Sequence, residues 1–600
     1  MRSESPSLKT LIHRRQLLKG LASTAGLSLF PARLRASGAG MPLRFKPVST
    51  ESTEPFVLPE GYRFTRVASW GDRFHDGGAL AVPIESEQAQ RAAFGYNCDF
   101  LAWHPQTSRE GRRQGFLSVN HEYSCPELMF PGYTGAKGSG LSRAQLHVEM
   151  ASLGHSVLPL KRVEGAWRVR WGHSTLRRLS VLGPQIELTG PAAGHVRLQT
   201  SADPSGRRII GTFANCAGGK TPWGTTLIAE ENFNQAFFGA ETASLDQDEL
   251  TRESWARFQI GEKKRRYSWH KVDPRFDLRR EPHEANRFGW VVELDPSDPT
   301  RPPVKRSALG RFKHECAEVT LAPDGRVVVY SGDDQAGEFL YRFVSEQPYD
   351  PARPATGWGL LDKGTLSVAC FEVDGSFEWR PLRHGEGPLT REAGFDDQGH
   401  VLIEARRAAT LLGATPLDRP EDVAVDPKSG ALYVMLTGDK GRAKTSAVCP
   451  RAPNPDGHIL RLSPSRGDGS AAGGEWSIFY LAGGESVGGL RCPDNGAFDP
   501  TGRLWITSDV DGDFRNGLWA CELDGPHAGE PRRFCALPTS AEGSGPCFDE
   551  TGETLFLSAQ HPGEHSRWGA LTSGWPGHGG PAPRPSVVAI ERVDGGLIGS

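Results

Sequence analysis

Glu318-Val-Thr-Leu-Ala-Pro-Asp-Gly-Arg-Val-Val-Val-Tyr330 reads as two short apolar strands around an Asp/Pro/Gly turn. The same pattern returns in Asp422-Val-Ala-Val-Asp-Pro-Lys-Ser-Gly-Ala-Leu-Tyr-Val434, in Asn495-Gly-Ala-Phe-Asp-Pro-Thr-Gly-Arg-Leu-Trp-Ile506 and in Pro546-Cys-Phe-Asp-Glu-Thr-Gly-Glu-Thr-Leu-Phe-Leu557. Turn residues of this kind supply the positive φ that a tight hairpin needs. Repeated strand–turn–strand units mark a β-propeller. The expected fold is therefore all-β, a six-bladed β-propeller. Its units recur irregularly, about 50 to 100 residues apart, so helical and loop insertions are expected between them.

Composition agrees with one large turn-rich body. The 600 residues include 72 Gly and 45 Pro, with 24% charged residues, which describes many turns and few long helices. No run of 18 apolar residues follows the N-terminus, so no transmembrane segment is expected in the mature chain. Residues 1–39 read as a signal peptide. His13-Arg14-Arg15-Gln16-Leu17-Leu18-Lys19 is a twin-arginine pattern, followed by the mildly apolar Leu21 to Phe30 and small residues to Ala39. The leader holds seven Lys/Arg and one acid, net +6, which leaves −9 on residues 40–600. An acidic exported body is a poor partner for nucleic acid. A periplasmic or secreted monomer that meets the twin-arginine export machinery is expected. The ten cysteines form no C-x-x-C pair, so no zinc ribbon or redox motif is indicated, and their spacing assigns no disulfides.

Local patterns place further elements. Gly115 to Val119 reads as a strand running into Asn120-His121-Glu122. Residues 142–153 have helical spacing, with Ser142 as cap and Gly154 as stop. Residues 244–258 read as a second helical insertion, and Lys263-Lys264-Arg265-Arg266 as a solvated loop.

Chemistry is expected where the inner strands begin. Just before or at those positions stand Glu315 and Glu318, then Arg419, Glu421 and Asp422, then Asp494 and Asn495, then Ser544. Acids at matching places in successive blades converge on the axis, where they repel unless cations neutralise them. A second stretch, Gly211 to Phe233, adds Cys216 in a Gly-rich turn and the adjacent Glu230 and Glu231. A thiolate beside carboxylates suits a transition metal; paired carboxylates alone suit calcium or magnesium. Ala214 to Thr221 mimics a phosphate-cradling loop, but Pro222-Trp223-Gly224 and the β-prone Thr225 to Ile228 follow where a helix is required, so a nucleotide loop is rejected. Asp509-Val510-Asp511-Gly512-Asp513 mimics an EF-hand start but lacks its later Gly and Glu, and reads as a hairpin tip.

Together these pieces resemble the PhoX-type alkaline phosphatases, exported bacterial enzymes with a decorated β-propeller. The likeness is carried by the twin-arginine leader, Val119-Asn-His-Glu-Tyr123, Asn215-Cys-Ala-Gly-Gly-Lys-Thr-Pro-Trp-Gly224, Glu230-Glu-Asn-Phe233, Phe312-Lys-His-Glu315, Gly337-Glu-Phe-Leu-Tyr341, Arg419-Pro-Glu-Asp422 and Gln560-His-Pro-Gly-Glu564. The resemblance implies iron and calcium at the propeller axis and hydrolysis of small phosphomonoesters for phosphate acquisition. It makes Cys216 an iron ligand, Glu315 and Glu421 metal-binding carboxylates, and Arg419 the residue that holds phosphate oxygens. Glu122, Glu230, Glu231, Asp494 and Asn495 follow as further ligands. Two departures stand out. Cys316 occupies a place where Gly is expected, and Ile228-Ala229 precede Glu230 where a more polar run is expected. The alternatives are a calcium-dependent lactonase-like propeller hydrolase, which has no use for a thiolate, and a non-catalytic metal-braced propeller, which needs no Arg beside its metals.

Overall fold

A computed structural model describes residues 42–49, 56–107, 113–243, 249–483, 489–512, 514–577 and 582–600. The leader lies outside them. All four repeats form the hairpins expected of them: Glu318–Leu321 pairs with Arg326–Gly332, Pro420–Val425 with Leu432–Leu436, Pro493–Phe498 with Leu504–Ser508, and Glu542–Phe548 with Thr554–Gln560. The turn aspartates do the local work. Asp499 Oδ1 accepts the amides of Thr501 (2.9 Å) and Arg503 (3.1 Å), and Asp426 Oδ1 accepts that of Lys428 (2.9 Å). Such side-chain-to-backbone bonds close the turn before the second strand pairs.

Five sheets result, of four, six, nine, five and four strands. The nine-stranded sheet is two successive meanders, one starting at Glu318 and one at Pro420, joined edge to edge where Ser376–Glu378 pairs with Gly473–Glu475. The first strand of each meander is an edge strand of its sheet. These edge strands, Cys98–Thr107, Asn215–Lys220, Glu318–Leu321, Pro420–Val425, Pro493–Phe498 and Glu542–Phe548, touch one another in a closed ring. The N-terminal strand Tyr62–Ser69 pairs antiparallel with Ser586–Arg592 and so completes the sheet that the C-terminal strands begin. A ring closed this way covers the exposed edges that open sheets must otherwise protect.

The strand and the two helices expected from local patterns form. Arg113–His121 is a strand that delivers Glu122. Arg143–Ser152 is a helix with a capping box, in which Ser142 Oγ accepts the Gln145 amide and Gln145 Oε1 accepts the Ser142 amide. Glu249–Arg257 is the second helix, while 244–248 lie outside the described residues. Asn215–Lys220 and Thr226–Glu230 are paired strands, which removes the helix a nucleotide loop would need.

Cys216 and the Gly pair thus lie in a strand and not in the turn expected of them, and the glycines have a packing reason. A Cβ on Gly219 would sit 1.8 Å from the carbonyl oxygen of Ala317, on the neighbouring inner strand side, and one on Gly218 would sit 2.3 Å from that of Leu227. Backbone approaches this close exclude any side chain. Gly219→Ala is therefore expected to destabilise the protein by at least about 3 kcal/mol, the upper range for an overpacked core, measured by denaturant unfolding. A variant within about 0.5 kcal/mol of wild type, the usual scatter for a surface change, would refute the constraint.

Candidate metal centre

One mouth of the ring opens into a cavity of about 320 Å³. Its wall carries ten carboxylates, from Glu122, Glu231, Glu315, Asp334, Glu421, Asp494, Asp509, Asp511, Glu542 and Glu564, against the guanidiniums of Arg266 and Arg419. Three groups of possible ligands lie at it, each with its ligand atoms inside 4.8 Å of one another: Asp99, which stands behind the lining residues, with Glu122 and Cys216; Cys216, Glu231 and Glu315; Glu315, Asp334 and Glu421. Cys216 belongs to two of them and Glu315 to two, so the groups form one continuous run.

Cys216 sits at the hinge of that run because its strand is pinned from behind. Asn120 Nδ2 donates to the carbonyls of Cys216 (2.7 Å) and Ala217 (2.9 Å), and His155 Nδ1 donates to Asn120 Oδ1 (2.7 Å). The Cys216 sulfur lies 3.1 Å from Asp99 Oδ2 and 3.1 Å from Glu315 Oε1. Burial, with the charges of Asp99 and Glu122, pushes the thiol well up. The carboxyls respond alike. Burial raises Glu315, helped by Glu421; it raises Glu231, helped by Asp334; and it raises Asp99, helped by Glu122. Glu122, held by Gln560 Nε2 at 2.7 Å, is pushed up by burial to about 7.

Several of these oxygens are buried with no hydrogen-bond partner among the described residues: both of Glu231, Oδ1 of Asp99 and Oδ2 of Asp494. Buried polar atoms are otherwise nearly always paired. Orphaned carboxylate oxygens converging beside a thiol fit cations better than any protein donor, with hard oxygen sites for calcium and a softer site at sulfur.

Arg419 faces the same cavity, with its backbone in the left-handed region at φ 55°. Its Nε and Nη2 donate to the two oxygens of Asp334 at 2.9 Å each, and Nη2 lies 2.7 Å from Glu421 Oε1. Burial raises Asp334, but the charge and hydrogen bonds of Arg419, with Lys313 and Glu231, together outweigh it and leave that carboxyl below its usual range.

The structure thus brings together Cys216, Glu122, Glu231, Glu315, Glu421, Asp494 and Arg419 from the sequence-derived set. It does not bring Glu230 or Asn495 to the cavity wall. Glu230 turns inward. Its Oε1 takes Lys305 Nζ at 2.6 Å and Thr212 Oγ1 at 2.8 Å, and its Oε2 takes the amides of Gly289 and Trp290 at 3.1 Å each. Asn495 Oδ1 accepts the Gly545 amide at 2.9 Å and ties two inner strands together. Glu318 and Asp422 face a second cavity, of about 440 Å³, lined by segments from all the inner strands. Cys316 is buried in the apolar cluster with Val328, Tyr330 and Leu340, so it does not crowd the carboxylates.

Sequence reasoning missed Asp99, Asp334, Glu542 and Arg266. Asp99 follows the first residue of an inner strand and Glu542 opens another, so matching every sheet to the repeat would have found both. Asp334, two residues past the strand Arg326–Gly332, has no such signal. Arg266 belongs to the basic run read as a solvated loop, yet it lines the cavity. Asp509 and Asp511 of the EF-hand-like stretch also line it, and Asp513 lies outside the described residues.

Glu230 and Glu231 allow a direct test. Lys305→Met leaves a buried carboxylate unpaired and is expected to cost about 3–5 kcal/mol of stability without stripping metal from the folded fraction. Glu231→Gln is expected to lose bound metal. Metal analysis of the two variants that gave the opposite pattern would move Glu230 into the site.

The family profile described as Alkaline phosphatase PhoX matches residues 43–563. Among solved structures, PhoX from Pseudomonas fluorescens, determined with vanadate as a transition-state analogue, is 37% identical, with a TM-score of 0.85 over 93% of this chain and 99% of that one. A protein of unknown function from Dyadobacter fermentans is 10% identical, with a TM-score of 0.34 over 89% and 100% of the two chains. A gluconolactonase from Xanthomonas campestris is 11% identical, with a TM-score of 0.31 over 90% and 98%. The last two are too distant in shape to bear on function. No curated protein matches the chain.

Proposed function

Because the chain belongs to the PhoX alkaline phosphatase family and is thereby a phosphoric monoester hydrolase, we propose that it hydrolyses phosphomonoesters in the periplasm, after twin-arginine export, with iron and calcium at the propeller hub. The observation that supports this reading best is the continuous run of ligand groups through Cys216 and Glu315, ending on Glu421 beside Arg419. Cys216 would hold iron with Glu231 and Glu315. The carboxylates of Glu122, Asp494 and Glu421, with Asp99 and Asp334, would hold the harder ions. Cations there supply charge neutralisation and Lewis acidity to a transferring phosphoryl group.

The chain's own residues do the positioning. With Nε and Nη2 engaged by Asp334 and Glu421, the planar guanidinium of Arg419 would meet phosphate oxygens through its remaining Nη1 edge, a geometry that a lysine ammonium does not reproduce. The bidentate bonds to Asp334 fix the plane of that guanidinium, and the Thr437 amide, 3.2 Å from the Arg419 carbonyl, holds the left-handed backbone in place. Lys313 is buried, with Nζ 3.4 Å from Asn232 Oδ1, and its charge offsets part of the rise that burial gives Glu231 and adds to the lowering of Asp334. Tyr123 and Tyr267 line the cavity and narrow the volume open to water.

Two outcomes test the reading. Cys216→Ser is expected to remove iron and the visible charge-transfer absorption of a ferric thiolate while leaving the far-UV circular dichroism unchanged; a colourless, iron-free wild type would rule out the thiolate role. Arg419→Lys keeps the charge but loses the planar edge, and is expected to lower kcat/KM for phosphomonoesters by about ten- to a hundredfold, or about 1.4–2.8 kcal/mol, with metal content near wild type. Full activity in Arg419→Lys would remove Arg419 from phosphate binding.

A further inference from the structure

The second guanidinium in the cavity differs from the first in how its donors are used. Arg266 comes from the long insertion between the strands Thr226–Glu230 and Val291–Leu294, not from a hub strand. Its Cζ lies 4.0 Å above the centroid of the Tyr123 ring. Its carboxylate contact among the described residues is Glu564, 3.8 Å from Nη2, beyond hydrogen-bond length. Glu564 is itself engaged, accepting Tyr123 Oη at 2.8 Å and lying 3.1 Å from His561 Nδ1. No guanidinium hydrogen bond from Arg266 reaches a described residue, and its side chain is 38% exposed. Arg419, by contrast, has its fork taken by Asp334 and Glu421.

The support beneath Arg266 is firm. Its amide donates to the Gln235 carbonyl at 2.9 Å, and the next residue, Tyr267, stacks on Trp269 at 4.0 Å. A guanidinium whose face lies on an aromatic ring still offers its N–H edge. Held in place, that edge binds a planar anion with little further loss of side-chain freedom.

We infer that Arg266, laid on Tyr123, is the subsite for the leaving group and favours phosphomonoesters whose leaving group carries a second anion, such as a carboxylate. The inference rests on the phosphatase reading of the cavity. Arg419 is placed to serve the transferring phosphoryl group at the carboxylate run, while Arg266 sits on the wall built by the insertion, where the rest of the ester extends. A neutral leaving group gains contact with the tyrosine there. An anionic one adds charge-assisted hydrogen bonds to the open edge of Arg266, at which Glu564 stands too far to compete by hydrogen bonding.

The test compares phenyl phosphate with 4-carboxyphenyl phosphate in the metal-loaded wild type, Arg266→Gln and Arg266→Lys, with metal content and circular dichroism checked for each. Dividing each variant's ratio of kcat/KM values by that of the wild type removes the intrinsic difference between the esters. In Arg266→Gln the preference for the carboxylated ester is expected to fall at least tenfold, chiefly through KM, and Arg266→Lys to keep part of it. A ratio within twofold of wild type in Arg266→Gln overturns the inference, as does an equal loss for both esters. Calorimetric binding of benzylphosphonate and 4-carboxybenzylphosphonate separates this result from the phosphatase reading. If the wild type cleaves neither ester, that reading fails and the leaving-group role falls with it, while the phosphonate pair still reads anion binding at Arg266; an unchanged phosphonate preference in Arg266→Gln overturns the inference whether or not the esters are cleaved.

Discussion

Mutual repulsion among buried carboxylates is the constraint on which the hub depends. Six of them, Glu122, Glu231, Glu315, Asp334, Glu421 and Asp494, line one cavity with four less buried acids and two arginines, and several of their oxygens have no donor among the described residues. Two unit charges 4 Å apart interact by about 4 kcal/mol at an effective dielectric of 20, so such a wall is tolerable only if protons or cations neutralise it. The carboxyls of Asp99, Glu231, Glu315 and Glu421 respond accordingly, each raised first by burial and three of them next by a neighbouring acid. The propeller does not relieve this repulsion. It holds the acids in place against it.

The ring of edge strands supplies the force that does so. Each inner strand hydrogen-bonds to one hairpin partner and packs its other edge on neighbouring inner strands, so none can retreat alone. Glycines set the spacing, Gly219 against Ala317 and Gly545 against Leu101, where an added Cβ would sit 2.6 Å from the Leu101 amide nitrogen. Chemistry then comes from the strand ends, and recognition from the insertions. The insertion between Glu230 and Val291 carries Arg266 and Tyr267 to the cavity without disturbing the ring, which lets the leaving-group wall vary while the hub stays fixed.

Much of this was legible in the sequence. The Asp/Gly turns located four hairpins to within a few residues, because turn chemistry is local and repeats. Glu315, Glu421 and Asp494 were legible because acids recurred at one point of the repeat, and Cys216 because a cysteine in a Gly-rich stretch beside paired glutamates is unusual. What escaped was set by non-local packing. Asp334 reaches the cavity because Arg419, 85 residues on, draws its carboxylate there. Arg266 does so because its insertion folds back over Tyr123, which no property of the run Lys263 to Arg266 foretells.

The two residues misplaced as wall residues share one cause. Where the backbone is extended near the strand ends, successive side chains point to opposite faces, which separates the members of these adjacent pairs. Glu231 reaches it while Glu230 pairs with Lys305; Asp494 reaches it while Asn495 binds Gly545. The same rule sends Glu315 to the cavity and Cys316 into the apolar cluster, and Glu421 to the cavity while Asp422 accepts the amides of Val423 (2.8 Å) and Gly496 (2.9 Å). Each pair therefore joins chemistry to architecture. One member carries charge into the hub, and its neighbour ties the strand to the structure that resists that charge. For that reason Glu230 and Asn495, though absent from the cavity wall, are no freer to change than the residues beside them.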